Sequence, residues 1–527
     1  MVTSLDAFRP STRSDGRETE RAKHCFRYAV AIVTVYSFAH IVARVLASPN
    51  LGEDDPLINL YTQQLALGYG LDEPPLFTWL IYGIQLLTGP YLVSFQLAKY
   101  ALLIATVGAL FWCAYAITKS AVWALVTAES LTLIYHVGWR FHEGFAGLIP
   151  AMLCSVLVLL FILRIVERQR IGDYAGLGFA CGLGLLSQYS FVIGLGAFVL
   201  AAVAVRDVRE HVFCAKLLLS AGICLVLIAP HIVWIVSDPQ RLNIVSSVYS
   251  AFTHPDPRID AWRVIKKTFA APFLFYWSLL LFLLFAAIGR IACNRRFDIL
   301  PDIRWGAYPL LCFLGCYFIA VHGLLLLAGM AFSHVKYASH DLLSMMLPTL
   351  VLLFALIFQS GQTANDIRRW ALISMSVLAF AFVARAANMF IMEPFCKLCR
   401  WGIPYDQLAL ELKSAGFERG RIVGLEPDLA GNLRMYFPSS EISVPGQAYP
   451  DTLWQQMQAG GSYVVVWQVG GKHGIKVSRQ AMRQRLDAAG LTLPIRTFIA
   501  PWRHVFYDTG YRQTEWNYII SVAPRGR

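Results

Sequence analysis

Apolar residues fall in long uninterrupted runs separated by short charged clusters, the pattern of a chain that crosses a bilayer repeatedly. Assigning spans by uninterrupted apolar length predicts about eleven transmembrane helices, approximately Phe26–Ala47, Tyr91–Thr118, Ala121–Gly138, Ala146–Val166, Tyr174–Gln188, Phe191–Val205, Val212–Val236, Phe269–Gly289, Gly306–Ala328, Met345–Gln359 and Ala371–Met392. From about Pro394 the long runs stop and a small water-soluble α/β domain is predicted. Tyr405, Leu408 and Leu412 share one helical face before Gly416, Arg479–Ala489 has helical character, and Arg421–Leu425, Tyr463–Trp467 and Trp516–Val522 have the composition of strands. The expected organisation is a tail over 1–25, a transmembrane domain over 26–393 with a long first outer loop at 48–90, and an extracytoplasmic domain over 394–527.

Composition agrees with the pattern. Of 527 residues, 57% are hydrophobic and 15% charged, against roughly 45–50% and about 25% in soluble domains. The net charge of +12 does not point to nucleic acid, because the basic residues gather in short connections: Arg9 to Arg27, Arg164 to Arg170, Arg206 to Lys216, Arg290 to Arg304, and Arg368 with Arg369. A positive-inside arrangement puts all of these on the cytoplasmic side. It leaves the N-terminal tail, read as disordered over Ser11–Lys23, in the cytoplasm and the C-terminal domain outside.

Eleven cysteines are scattered, mostly within apolar runs. Only Cys396 and Cys399 form a CxxC, and no second pair stands at zinc-site spacing. A local disulfide and free thiols are both compatible with that segment. No cofactor is firmly implied, no clean metal-ligand set appears, and a divalent metal is left open.

Candidate chemistry gathers in the outward segments. In the first loop Leu57, Tyr61 and Leu65 recur every four residues, predicting a short interfacial helix preceded by Glu53, Asp54 and Asp55. One acid suffices to cap a helix; three adjacent acids repel each other, which raises at least one pKa and offers a general base. Asp72, Glu73, Pro74 and Pro75 then turn the chain back towards the membrane, or form simply a rigid turn with an acidic edge. Arg44 either snorkels or helps hold an anionic lipid headgroup. Arg140 and Glu143 lie in a second outer turn, and His334, Lys336, His340 and Asp341 in another. Outward cations run against the topology bias and invite a phosphate ligand. His231, after Pro230 near the outer end of a span, is expected to satisfy a backbone carbonyl that the proline opens, while Lys99, Glu129 and Arg385 fall in or near spans, where they pair with one another or snorkel.

Three sets of residues resemble the polyprenyl-phosphate-dependent glycosyltransferases related to protein mannosyltransferases and to the lipid A aminoarabinose transferase. The first is Asp54-Asp55, then Leu65-Ala66-Leu67-Gly68-Tyr69, then Asp72-Glu73-Pro74-Pro75-Leu76. The second is Gly182-Leu183-Gly184-Leu185-Leu186-Ser187-Gln188-Tyr189, and the third is Ala229-Pro230-His231-Ile232-Val233-Trp234. The segment from Cys396 to Tyr405 and the tail resemble a bacterial subgroup that includes rhizobial galacturonosyltransferases. The resemblance implies a GT-C-like polytopic helical fold, a polyprenyl-phosphate-linked sugar donor and a glycolipid or glycan acceptor such as lipid A or lipopolysaccharide core. Carried over by position, it implies Asp54 as the catalytic acid with Asp55 beside it, Glu143 as a second acid, and Lys336 as the donor-phosphate contact, with Arg44, Arg140 and His340 assisting. Glu73 and Gln188 depart from the basic residues that relatives often carry there.

The expected reaction is a single inverting displacement at the extracytoplasmic face. Its rival from another class is a flippase or transporter of a lipid-linked sugar. Transporters place their polar sites near the bilayer midplane in repeated halves; here the polar clusters sit at one face, and the second half does not repeat the first.

Overall fold

A computed structural model of the protein describes residues 12–71, 73–142, 144, 147–242, 261–292, 309–331, 343–359, 364–392, 395, 399–444, 461–469, 478–488, 492–506 and 512–522. The chain packs as two compact units, one comprising Met1–Ser37, Leu71–Leu76 and Tyr100–Ala381, the other Phe38–Gly70, Phe77–Lys99 and Phe382–Arg527.

The apolar runs become helices: α1 (Thr12–Ala47), α4 (Leu92–Thr118), α5 (Ala121–Glu129), α6 (Tyr135–Gly138), α7 (Leu148–Arg168), α8 (Ile171–Ser187), α9 (Phe191–Ala204), α10 (Arg206–Val212), α11 (Leu217–Val236), α12 (Ala261–Ala292), α13 (Pro309–Ala331), α14 (Leu343–Gln359) and α15 (Ala364–Phe390). The first loop contributes α2 (Asp55–Tyr61) and α3 (Leu76–Thr88). Each predicted span therefore contains a helix, but length and apolarity qualify six of them as spans, or up to nine when bent pairs are taken as one, among the described residues. The number of crossings is thus not fixed at eleven. The shorter apolar helices Leu76–Thr88, Ile171–Leu185 and Ser344–Ile357 are the ambiguous ones, because about 20 residues are needed to cross hydrocarbon upright.

Over Thr12–Lys23 the polar stretch is helical rather than disordered. From Thr12 it is continuous with α1, since Arg, Glu, Ala and Lys are good helix formers that extend an existing helix. Within the first unit α8 packs against both α7 and α11. Gly178 and Gly182, four apart on one face of α8, make this possible. A Cβ on Gly178 would lie 2.5 Å from Ser220 O, and one on Gly182 2.8 Å from Leu227 Cδ1, both on α11. This is the small-residue packing by which membrane helices approach closely. Of three bent helix pairs among the described residues, two turn most sharply. The α5–α6 run turns by 66° after Leu133, and α9 turns by 112° into α10.

In the second unit five strands, β1 (Arg421–Gly424), β2 (Glu441–Ser443), β3 (Tyr463–Gln468), β4 (Arg496–Pro501) and β5 (Gln513–Ser521), form one sheet of order β2-β1-β3-β5-β4. β2, β1 and β3 run parallel; β5 and β4 add antiparallel. Val464 and Val466 of β3 face one core with Leu408 and Leu412 of α16 (Tyr405–Ser414) and Leu429 and Leu433 of α17 (Pro427–Tyr436). Val465 and Trp467 face a second core with Met482 and Leu486 of α18 (Arg479–Ala488). A strand buried on both faces reads as a continuous apolar run, as Tyr463–Trp467 does. Gly416, with φ at 97°, ends α16.

Glu426, between β1 and α17, is buried and accepts the Gln468 N–H. Burial, only partly offset by that hydrogen bond, pushes its carboxyl up to about 7. Its neutral form is the one the fold favours, so stability is fully present below the ordinary carboxylate range and is lost as pH rises through about 7. Glu426→Gln should therefore stabilise the β1–α17 region by about 1–3 kcal/mol at pH 8 and by little at pH 4. Hydrogen exchange of Arg421–Tyr436, compared with wild type at each pH, measures this. Equal protection at pH 8 would refute it.

Candidate active site

The first loop is anchored before it reaches its acids. Arg44, buried in the last turn of α1, donates to Ser48 O at 2.6 Å and to Asn50 O, and its guanidinium lies 4.3 Å from the Trp401 ring centroid. Ser48 Oγ donates to Trp401 O at 2.7 Å, and Asn50 Nδ2 donates to Trp401 O and Ile403 O at 3.0 and 2.8 Å. Leu51 N donates to Asn432 Oδ1 of α17 at 2.8 Å. A buried cation satisfied by carbonyls and an aromatic face serves the chain's path. That is where the structure commits the Arg44 side chain.

The three acids then separate by environment. Glu53 is exposed, with a left-handed φ of 51° that turns the chain. Asp54 is exposed at the N-cap of α2, and its carboxylate makes no cap hydrogen bond. It also forms no ion pair or other hydrogen bond among the described residues. Asp55 points the other way. At 2% exposure its carboxylate meets Lys99 Nζ at 2.8 Å, and Lys99, in α4, is 1% exposed. Burial raises the Asp55 carboxyl above the ordinary range, and the Lys99 ammonium opposes that rise.

The rest of α2 is locked by polar contacts. Asn59 Nδ2 donates to Gly431 O at 2.9 Å, and its Oδ1 accepts Gln85 Nε2 of α3 at 2.8 Å. Arg434 of α17 donates to Asn59 O and to Thr62 O, the latter at 3.0 Å, so a guanidinium covers the carbonyl end of α2. Leu60 joins the α16–α17 core, with Leu57 packed against it. The predicted helix is thus present but ends at Tyr61, leaving Leu65 exposed. It is docked on the sheet domain. At Gly431 the backbones of α17 and α2 touch, and a Cβ there would overlap Pro56 O, C and Cα. Gly431→Ala should dislodge α2, costing about 1–3 kcal/mol and most of any activity that depends on Asp54. Thermal unfolding together with a turnover assay would show it; an unchanged melting temperature would disprove the contact's importance.

With this geometry in place, comparison with known proteins is direct. A model of the dolichyl-phosphate-mannose-protein mannosyltransferase family matches residues 72–234. The lipopolysaccharide core galacturonosyltransferase RgtA of Rhizobium johnstonii is 22% identical over 485 residues, 90% of this chain and 93% of its own. RgtB of the same organism, also a lipopolysaccharide core galacturonosyltransferase, is 25% identical over 222 residues, 41% of this chain and 44% of its own. The crystal structure of ArnT from Cupriavidus metallidurans bound to undecaprenyl phosphate superposes with a TM-score of 0.60 at 14% identity, covering 95% of this chain and 99% of that one. The apo form gives a TM-score of 0.55, also at 14% identity, over 94% and 99%. The chain is a membrane glycosyltransferase with a GT-C fold.

The other expected site residues of this glycosyltransferase are placed as follows. Glu73, in the first unit, lies against Gly147 at the N-terminus of α7: a Cβ on Gly147 would be 2.9 Å from Glu73 Oε2. A carboxylate there is favoured by the dipole of a 21-residue helix, which accounts for an acid at this position. Arg140 opens a short 3-10 turn, Arg140–His142, and is half-buried. His142, not singled out for chemistry by sequence, is buried between Tyr36 OH at 2.8 Å and Tyr100 OH at 2.6 Å. His231 meets Tyr189 OH at 2.9 Å, and Ser344 Oγ donates to Gln188 Oε1 at 3.4 Å. Asp72, Glu143, Lys336 and His340 lie outside the described residues, as does Cys396. Cys399 is disulfide-bonded. No group of three or more potential metal ligands gathers among the described residues.

Proposed function

We propose that this glycosyltransferase moves a sugar, galacturonic acid by the likeness to RgtA and RgtB, from a polyprenyl-phosphate donor to a hydroxyl of lipopolysaccharide core or lipid A. The observation that carries the reading is the division of labour in the first loop. Asp55 is sealed on Lys99, and Asp54, held next to it by a docked helix, keeps an exposed carboxylate with no partner among the described residues. A catalytic base needs that combination of fixed backbone and available oxygen.

In this mechanism Asp54 takes the proton of the acceptor hydroxyl. The acceptor oxygen forms its bond to the anomeric carbon as the bond from that carbon to the phosphate oxygen breaks. Polyprenyl phosphate leaves with the electron pair, and one displacement inverts the anomeric centre. Cations stabilise the charge on the departing phosphate, with Lys336, Arg140 and His340 as the residues for that role and Glu143 as a second acid. Arg44 supports the loop. The ArnT complex with undecaprenyl phosphate supports the donor class. The Cys399 disulfide supports an oxidising compartment for the C-terminal domain, as does the clustering of Arg and Lys in the opposite connections. On this reading the protein resides in the inner membrane with its N-terminus cytoplasmic.

The test uses purified protein, polyprenyl-phosphate galacturonic acid and a truncated lipopolysaccharide acceptor, without any vesicle gradient. The expected product is an acceptor heavier by one uronic acid, with inverted linkage by NMR. No product with any polyprenyl-phosphate sugar, alongside gradient-free movement of the donor between leaflets, would favour a flippase and overturn the reading.

A further inference from the structure

Away from the first loop, the first unit contains a cleft of about 260 Å³ between α7, α8, α9 and α11, with α10 at one end. Its walls are apolar apart from Ser220, whose hydroxyl is turned to Tyr174 O at 2.6 Å, and include Leu177, Cys181, Phe198, Ala202, Phe213 and Leu217. Phe213 and Val199, both 40–50% exposed, stand at its edges, so the cleft opens outward rather than forming a sealed void. In a bilayer such an opening is filled by hydrocarbon.

The rim at the α10 end is polar and built from two connections drawn together. Lys216 Nζ donates to Gln169 O at 2.9 Å and lies 5.8 Å from the Tyr174 ring centroid, while Tyr174 OH donates to His211 O at 2.6 Å. The turn before α8 and the turn before α11 therefore meet: Lys216 directly precedes Leu217 of the cleft wall, and Arg170 directly follows the Gln169 that receives it, with Arg209 on α10. Most of the acids nearby are already engaged: Asp173 by Arg164, Glu210 by Arg206, Glu167 by Lys119 and Arg168. Asp207 is exposed on α10, and its backbone oxygen meets His211 Nδ1. Arg170, Arg209 and Lys216 have no carboxylate within ion-pair distance among the described residues, and all three are exposed.

We propose that this is a binding site for an anionic glycerophospholipid of the bilayer. One acyl chain lies in the cleft, and the headgroup phosphate is held by Arg170 and Lys216 on the basic side of the membrane. A basic rim over an apolar slot between transmembrane helices matches both ends of such a lipid, whereas a zwitterionic lipid would bring a choline cation against the same rim. The proposal does not depend on Asp54 or on the donor.

Native mass spectrometry of the full chain in detergent, offered equal amounts of phosphatidylglycerol and phosphatidylcholine with the same acyl chains, tests it. Wild type should retain phosphatidylglycerol over phosphatidylcholine by about ten-fold or more. Arg170→Ala with Lys216→Ala should erase the preference, and Ala202→Phe, which fills the cleft, should lower retention of both lipids. Folding of each variant is checked by its melting temperature, with Arg170→Gln and Lys216→Gln replacing an unstable pair. Equal retention of the two lipids by wild type overturns the proposal. So does a preference that survives the double substitution, or displacement of the bound lipid by undecaprenyl phosphate in preference to phosphatidylglycerol.

Discussion

Asp54→Asn should reduce turnover by about 10²–10⁴-fold, the range that a positioned general base contributes, with donor KM and melting temperature close to wild type. The stability expectation follows from what the carboxylate does not do. It is exposed and makes no cap hydrogen bond, so its loss leaves no buried group unsatisfied. An interaction made only in the transition state lowers kcat and kcat/KM together. Asp54→Glu tests placement separately from chemistry. It restores a carboxylate but moves it outward by one methylene, and should recover only part of the rate. Glu53→Gln, altering the exposed neighbour, should leave turnover within a few-fold of wild type. The control matters because all three acids would add to the local negative potential if simple attraction of a cation were the mechanism. Wild-type turnover by Asp54→Asn in a folded protein removes it as the base; equal losses from Glu53→Gln and Asp54→Asn point to a diffuse electrostatic role instead.

Patterns confined to a single element were the legible ones. Each apolar run predicted a helix because hydrocarbon tolerates little else, and β3 and α16 announced themselves by a continuous apolar run and by Tyr405, Leu408 and Leu412 at helical spacing. α3 was missed for a local reason. Pro74 and Pro75 suggest a break, yet directly ahead of Leu76 they stand where proline is tolerated, at a helix start. The thirteen residues that follow are apolar but too few to pass as a span. β2 and β4 escaped because one is only three residues long and the other has mostly exposed or half-buried side chains.

In the candidate site the acids stand out in the sequence, and the contacts that support them do not. Three adjacent carboxylates signalled chemistry at residues 53–55, and nothing in their order says which one turns inward. That choice depends on Lys99, 44 residues further on, and on a helix 372 residues away whose Gly431 carbonyl receives Asn59. Lys99 did carry a signal, since a charge within a span demands a partner, but several partners were available. Arg44, at the end of a span, reads from sequence equally as a snorkelling residue or a headgroup contact, and the Ser48 and Asn50 carbonyls that it meets are placed by a loop path the sequence does not show.

The Asp55–Lys99 pair gives the second large expectation. Lys99→Met should destabilise the first-loop unit by about 3–5 kcal/mol, the usual consequence of removing one partner from a buried ion pair, because Asp55 at 2% exposure would then have no cation beside it. Without the Lys99 ammonium only burial acts strongly on the carboxyl, raising its pKa further. Protonation then relieves the strain, so the deficit of Lys99→Met relative to wild type should shrink as pH falls. The double variant Lys99→Met, Asp55→Leu replaces both charges by apolar groups and should regain most of the lost stability, since a well-packed apolar pair can equal a buried salt bridge. Turnover of that double variant decides what the pair is for. If Asp55 serves to fix α2 so that Asp54 is presented, restored packing restores a substantial part of the rate. If turnover stays at the level of Lys99→Met while the melting temperature recovers, Asp55 or Lys99 takes part in binding or chemistry directly, and the positioning role assigned to the pair is wrong.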